Sequence, residues 1–171
     1  MNTLERRNKI KQILYDNNTP ISGNLLAKQL NVSRQIIVGD IALLRSEGNE
    51  ILATPHGYLT TLKENSNYLT KTIACNHKKN EISKEIYTII DNGGAILDVT
   101  VEHPLYGQIC GSMHIFSRYD ADEFIKKSQL HSSPLLSNLT QGIHLHTISC
   151  SNEVILNRVL SALDEKGILM K

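Results

Sequence analysis

At 171 residues the chain is long for one small domain and suits two compact ones. A composition of 40% hydrophobic and 20% charged residues, with no tryptophan, excludes disorder, and no apolar run approaches the roughly 20 residues that span a bilayer. The net charge of +1 divides into seven bases against five acids in residues 1–62 and 11 against 12 in residues 63–171, a mild asymmetry toward DNA contact by the first part.

From Thr3 to Asp16, the residues Leu4, Ile10, Ile13 and Leu14 form a helical stripe, with Arg6, Arg7, Lys9 and Lys11 largely outside it. Asn17-Asn18-Thr19-Pro20 ends that helix, and Ile21-Ser22 supplies a staple residue and an N-cap for a second, with Leu25, Leu26, Ala27 and Leu30 apolar. After the turn at Asn31-Val32, Ser33 caps a third helix that runs to about Glu47 and stops at Gly48; its buried stripe is Ile37, Ile41 and Leu44. Ile51–Thr54, the turn Pro55-His56-Gly57 and Tyr58–Thr61 then read as a hairpin. Three helices and a hairpin make the winged helix-turn-helix plan, in which the third helix enters the major groove.

Lys63-Glu64-Asn65-Ser66-Asn67 is polar and aperiodic, and it divides the chain into an expected DNA-binding domain, 1–62, and a second domain, 63–171. Beyond it, Tyr68–Ala74 reads as a strand leading to His77, Glu81–Ile90 as a helix, Ala95–Glu102 and Gln108–Phe116 as strands, Asp120–Gln129 as a helix, Ile143–Ser149 as a strand and Asn152–Lys166 as a last helix. The expected fold class is α+β: a winged helix followed by a ferredoxin-like sandwich.

The chemistry concentrates in His144-x-His146, whose side chains share one face of a strand because strand residues alternate. With His77 and Glu85 they make a three-histidine, one-carboxylate set. Such a set suits zinc, nickel or iron(II), whereas all-oxygen sites suit magnesium or calcium. Taken singly, His77 reads as a solvated residue, Glu85 as a surface charge beside Lys84, and His144 and His146 as a polar strand face with Ile143 and Leu145 turned to the core. Cys75 shares a strand face with His77, and Cys150 one with His146, so a thiolate-containing zinc site is a rival. The three cysteines, with Cys110, are scattered and odd in number, which argues against a disulfide framework. The N-terminal Met1–Arg7 lacks the apolar core of a signal peptide, and a cytoplasmic protein is expected.

Ile21-Ser22-Gly23 through Leu26-Ala27, Leu30, Val32-Ser33-Arg34, Asp40-Ile41, Leu44 and Gly57-Tyr58 resemble the winged helix of biotin-repressor-like regulators. Such families often carry basic residues where this chain has Val38 and Gly39, which moves base contact to the start of the third helix. Ser33, Arg34, Gln35 and Gly39 are the expected DNA-contacting residues. Arg34 either reads a guanine or clamps a phosphate, and Gln35 favours adenine. The second part, with His103-Pro104-Leu105-Tyr106-Gly107, Ser117-Arg118, Pro134-Leu135, Leu139-Thr140 and Gly142-x-His144-x-His146, resembles the three-histidine regulatory domain family. That family joins a winged helix to an α+β domain, and its best-understood members are nicotinate-responsive repressors of NAD-precursor genes.

The resemblance implies a repressor with no catalytic residue. One divalent transition metal per chain would be held by His77, Glu85, His144 and His146, with nicotinate as co-repressor and a homodimer on a palindromic operator. His103 and Tyr106 would line the ligand pocket. Arg118 either meets a ligand carboxylate or makes a surface salt bridge. The alternatives are a metal-sensing repressor without nicotinate response and a metal-dependent hydrolase. The hydrolase is disfavoured because no separate general base falls near the ligand set.

Overall fold

The structure, a computed structural model, describes residues 2–60, 68–130 and 134–170. The chain clusters into two compact units, Met1–Asn65 and Ser66–Lys171. The stretch Lys63–Asn67, read as the junction, and His131 lie outside the described residues. Among the described residues no helix is long and apolar enough to cross a membrane.

The first unit runs α1 (Thr3–Tyr15), α2 (Gly23–Leu30), α3 (Arg34–Ser46), then a hairpin of β1 (Ile51–Thr54) and β2 (Gly57–Thr60), the winged helix-turn-helix order. Each helix begins with a side chain that accepts an otherwise unpaired backbone N–H. Asn2 forms a capping box with Glu5, Ser22 accepts from Leu25 N at 3.1 Å, and Ser33 accepts from Ile36 N at 3.3 Å. Asn31 ends α2 in the left-handed conformation, φ 54°, which makes the turn into α3 tight. Ile10, Leu14, Leu26, Ile37, Ile41 and Leu44 form the core, each at most 1% exposed.

Leu4 does not join that core; it is 62% exposed. Arg6, read from the sequence as lying outside the stripe, instead turns inward. Its Nε and Nη2 donate to Asp40 Oδ2 and Oδ1 at 2.6 and 3.1 Å, and Asp40 is buried in the middle of α3. A buried carboxylate must be paired, and the guanidinium fork is its best partner. The inward side of α1 therefore carries Arg6, Ile10 and Leu14, and a residue two positions from Arg6 falls on roughly the opposite side.

The second unit runs β3 (Leu69–Asn76), α4 (Ile82–Asp91), β4 (Ala95–His103), β5 (Gly107–Ile115), α5 (Arg118–Leu130), β6 (Ile143–Cys150) and α6 (Glu153–Glu165). Its sheet has the order β3-β6-β4-β5, with every neighbouring pair antiparallel. Thus β3 and β4 run parallel with β6 between them, and β5 and β6 run parallel with β4 between them: two split crossovers in an α+β sandwich. Ile73, Ile96, Ile115 and Ile148 from the sheet pack with Ile86 and Ile89 of α4, Ala121 of α5, and Val159 and Leu163 of α6. After α6 the chain returns along the outer edge of β3. Asn76 N donates to the Ile168 carbonyl, and Met170 N to the Ala74 carbonyl, both at 2.9 Å. That return covers the edge beside Cys75.

Candidate metal centre

In β6 the alternate residues His144, His146, Ile148 and Cys150 are buried, while Ile143 is 46% exposed and Leu145 half-buried. The two histidines therefore face the helices with the core residues, and Ile143 and Leu145 face the other way. The register sets Cys75 of β3 opposite His144, and Val99 of β4 opposite His146. His77 follows β3 directly, and α4 supplies Glu85 at the inward position three residues after Ile82 and one before Ile86. His77, Glu85, His144 and His146 are all buried, at 8%, 2%, 3% and 2% exposed.

Each histidine has one ring nitrogen occupied by backbone. His77 Nδ1 lies 2.8 Å from the Lys78 carbonyl, His144 Nδ1 2.8 Å from the Gly142 carbonyl, and His146 Nδ1 2.6 Å from the Asp98 carbonyl. A carbonyl only accepts, so each Nδ1 carries the hydrogen and the neutral ring presents a bare Nε2. All three Nε2 atoms converge on Glu85: His77 at 2.6 Å, His144 at 3.1 and 3.3 Å, His146 at 3.4 Å. Adjacent rings stand nearly perpendicular, with centroids 5.0 Å apart for His77–His144 and 4.7 Å for His144–His146.

Bare nitrogens facing a carboxylate set lone pairs against lone pairs. Protonating all three rings would remove that conflict but leave excess positive charge in a dry site, which is costly. A divalent cation satisfies every donor at once, and backbone-oriented imidazoles are the usual second shell of a metal ligand. The residues present fit a metal such as zinc, nickel or iron(II). Where a ring takes up a second proton it donates Nε2–H to Glu85, and although burial alone pushes the Glu85 carboxyl up, such bonds from His144, His146 and His77 hold it well below the usual carboxylate range. Burial pushes His77 down, and its bond to Glu85 reverses that and raises it. Cys75 is fully buried in the same cluster: its Sγ, a Glu85 oxygen and a His144 ring nitrogen lie within 4.8 Å of one another. Cys150, also buried, sits at the far end of β6, opposite Leu69.

Two backbone details hold this arrangement. Gly142 has φ 101°, and a β-carbon there would collide with the His77 carbonyl. Only glycine lets the turn before β6 pass so close, and its carbonyl fixes His144. In β4 an extra residue enters between Ile96, paired with Ile148, and Asp98, paired with Thr147. Asp98 Oδ1 accepts from Thr147 N at 3.0 Å, and its carbonyl is turned onto His146.

The cluster lines a small, partly open cavity of about 40 Å³ whose other walls are mainly apolar: Ile82, Val99, Met113, Phe124, Leu135 and Leu136, with Ser137 among them. Apart from Leu135, none of these wall residues belongs to the motifs that stand out in the sequence, because the cavity forms only where α4, α5, the sheet and the segment 135–137 meet. His103, Tyr106 and Arg118 do not line it. His103 Nδ1 accepts the backbone N–H groups of Leu105 and Tyr106 at 3.2 and 3.3 Å, which stiffens the β4–β5 turn, and Tyr106 is 72% exposed. Arg118 donates to both Asp91 oxygens at 3.0 and 2.8 Å, with its guanidinium carbon 3.5 Å from the centroid of the Tyr87 ring.

In the first unit, Ser33 is the cap of α3, and Arg34, Gln35 and Gly39 are exposed on that helix. A β-carbon built at Gly23 would lie 3.4 Å from Tyr58 Cε2 and 3.6 Å from Arg34 Nε. The Arg34 stem therefore leans toward the start of α2 and the wing.

The sequence matches the HTH domain over residues 6–59 and the 3H domain over residues 70–171. It is 40% identical over 167 residues to a protein of Thermotoga maritima described as "Probable transcription repressor NiaR", a match covering 98% of this chain and 94% of that one. It is 36% identical over 168 residues to "Transcription repressor NadR" of Bacillus subtilis, covering 97% and 93%.

Gly142→Ala is expected to cost the second unit at least about 1 kcal/mol, because alanine is strained at this φ and crowded by the His77 carbonyl. Thermal unfolding monitored on the second unit checks this; an unchanged or higher Tm contradicts the required close approach.

Proposed function

The chain belongs to the 3H-domain family, with an HTH domain ahead of the 3H domain; on that premise we propose that it represses genes of NAD-precursor uptake or synthesis, with nicotinate as co-repressor bound beside a divalent metal held by His77, Glu85, His144 and His146. The chain is a DNA-binding transcription repressor, as its relatives are named, and not an enzyme.

The observation that carries the finer reading is the pairing of a buried three-imidazole, one-carboxylate cluster with an apolar cavity. A bound metal supplies a Lewis-acidic anchor for a carboxylate or a pyridine nitrogen. Ile82, Val99, Met113 and Phe124 exclude water and offer flat apolar contact to an aromatic ring. Glu85 offsets the cation's charge, and the carbonyls of Lys78, Asp98 and Gly142 keep the three rings oriented whether or not a ligand is present. A small aromatic carboxylate carries both a metal-binding group and a flat apolar ring, the two chemistries this lining offers. Nicotinate switches DNA affinity only through different affinities for two geometries of the repressor, and couplings of this kind amount to about 1–3 kcal/mol.

On the DNA side, Arg34 is read as a phosphate clamp, since its stem leans toward the wing, and Gln35 and Gly39 as the groove-facing residues of α3. Gly39 is a mid-helix glycine whose added β-carbon would meet nothing within 4 Å, so packing within the unit gives no reason for it. Close approach of the helix to DNA does. A homodimer on a palindromic operator follows from helix-turn-helix geometry, and exposed Leu105, Tyr106, Phe116 and Tyr119 in the second unit offer apolar surface for it. Sedimentation showing a monomer at micromolar concentration, with and without nicotinate, contradicts the dimer.

Replacing His144 and His146 together with alanine is expected to abolish stoichiometric metal and the nicotinate response while the first unit stays folded; undiminished metal by elemental analysis contradicts the site. Titrating metal-loaded protein with nicotinate and nicotinamide, with and without operator, is expected to show nicotinate and operator tightening each other by the same factor. Binding without change in DNA affinity breaks the switch. Gly39→Ala is expected to stabilise the first unit by about 0.5–1 kcal/mol yet weaken operator binding. Unchanged operator affinity makes the glycine merely tolerated.

A further inference from the structure

Cys75 is fully buried on the same face of β3 as Ile73 and stands directly opposite His144 in the β3–β6 register. Burial in an apolar core would be an ordinary fate for a cysteine. The neighbours of this one are not ordinary, because its Sγ lies within 4.8 Å of both a Glu85 carboxylate oxygen and a His144 ring nitrogen. The other cysteines differ: Cys110 is exposed, and Cys150 is packed among core residues at the opposite end of β6. The returning chain end seals the edge beside Cys75, where Leu169 bridges to it, so the thiol is held in the cluster and away from solvent.

We propose that Cys75 is a ligand of the metal centre, adding a thiolate to the three-histidine, one-carboxylate set. This rests on the metal reading above and deepens it. On coordination the S–H bond breaks, the sulfur pair forms the bond to the metal, and the proton leaves to solvent; no oxidation or reduction is involved. A metal-bound thiol is deprotonated outright, so the buried sulfur is charged only when the cation is there to neutralise it. A soft sulfur donor biases the centre toward zinc, iron or nickel and away from manganese or magnesium. With five protein donors, a six-coordinate ion retains one position for an effector.

The test is cobalt(II) substitution in the full-length protein, read by absorption spectroscopy. Cobalt bound in wild-type protein is expected to show its visible d–d bands together with an intense near-ultraviolet sulfur-to-cobalt charge-transfer band. In Cys75→Ser the charge-transfer band is expected to vanish while the d–d bands persist. Zinc added to metal-free protein at neutral pH is expected to release one proton fewer from Cys75→Ser than from wild type. Cobalt d–d bands without the charge-transfer band in wild type overturn the proposal and leave the His and Glu centre standing. The same charge-transfer band surviving in Cys75→Ser also overturns it, by assigning the sulfur to another cysteine. Absence of any bound-cobalt spectrum overturns both this proposal and the metal reading beneath it. Cys75→Ala serves if the serine variant does not fold, and the wild-type spectrum decides the matter without either.

Discussion

Three backbone carbonyls, those of Lys78, Gly142 and Asp98, each take the Nδ1–H of one histidine, and the second unit is organised around that constraint. With Nδ1 committed, the only free edge of each ring is Nε2, and all three edges meet at one buried carboxylate. Nothing in an apolar core rewards such a convergence, because desolvating three imidazoles and a carboxylate is expensive unless a cation neutralises them. The strand order, the tight passage at Gly142 and the bulge in β4 all serve to bring the carbonyls of the surrounding backbone to the right nitrogens.

The same constraint explains how a repressor could hold an effector without catalytic machinery. The histidines are held by backbone carbonyls, so they would need little reorganisation on binding, and the carboxylate among them would offset the charge of an ion. The apolar walls beyond them, from α4, α5, the sheet and Leu135 with Leu136, supply apolar contact. In the winged helix the corresponding fixed element is the ion pair of Arg6 with buried Asp40, which ties α1 to the middle of α3 and so sets the pose of that helix.

Much of this is legible in the sequence, and the reason is periodicity. Ser22 and Ser33 mark helix starts, and Ile37, Ile41 and Leu44 repeat at helical spacing, so the order of the first unit follows from local signals. His144 and His146 fall on one face because strands alternate. Glu85 is less legible: beside Lys84 it reads by itself as a surface charge, and only its grouping with the histidines in the family resemblance draws it in, although α4 buries it beside Ile86. What stays hidden depends on partners distant along the chain. Arg6 turns inward to pair with Asp40, which lies 34 residues later and is buried in α3. The bulge that aims Asp98 at His146 exists only through pairing across 48 residues. His103 and Arg118 carry chemistry suited to a ligand pocket, yet a turn at Leu105 and Tyr106 uses the one, and Asp91 with Tyr87 uses the other. Composition and spacing do not reveal such prior commitments.

The central claim is that the Nε2 edges of His77, His144 and His146 meet a metal ion at Glu85. Side-chain nitrogen NMR on chelator-treated protein, followed by stoichiometric addition of zinc, reads this ring by ring. The account predicts that all three rings keep hydrogen on Nδ1 and that their Nε2 resonances shift together to the values of metal-bound imidazole, saturating at one ion per chain. Nε2 resonances that do not move on zinc addition, or rings that carry hydrogen on Nε2 throughout, would contradict it.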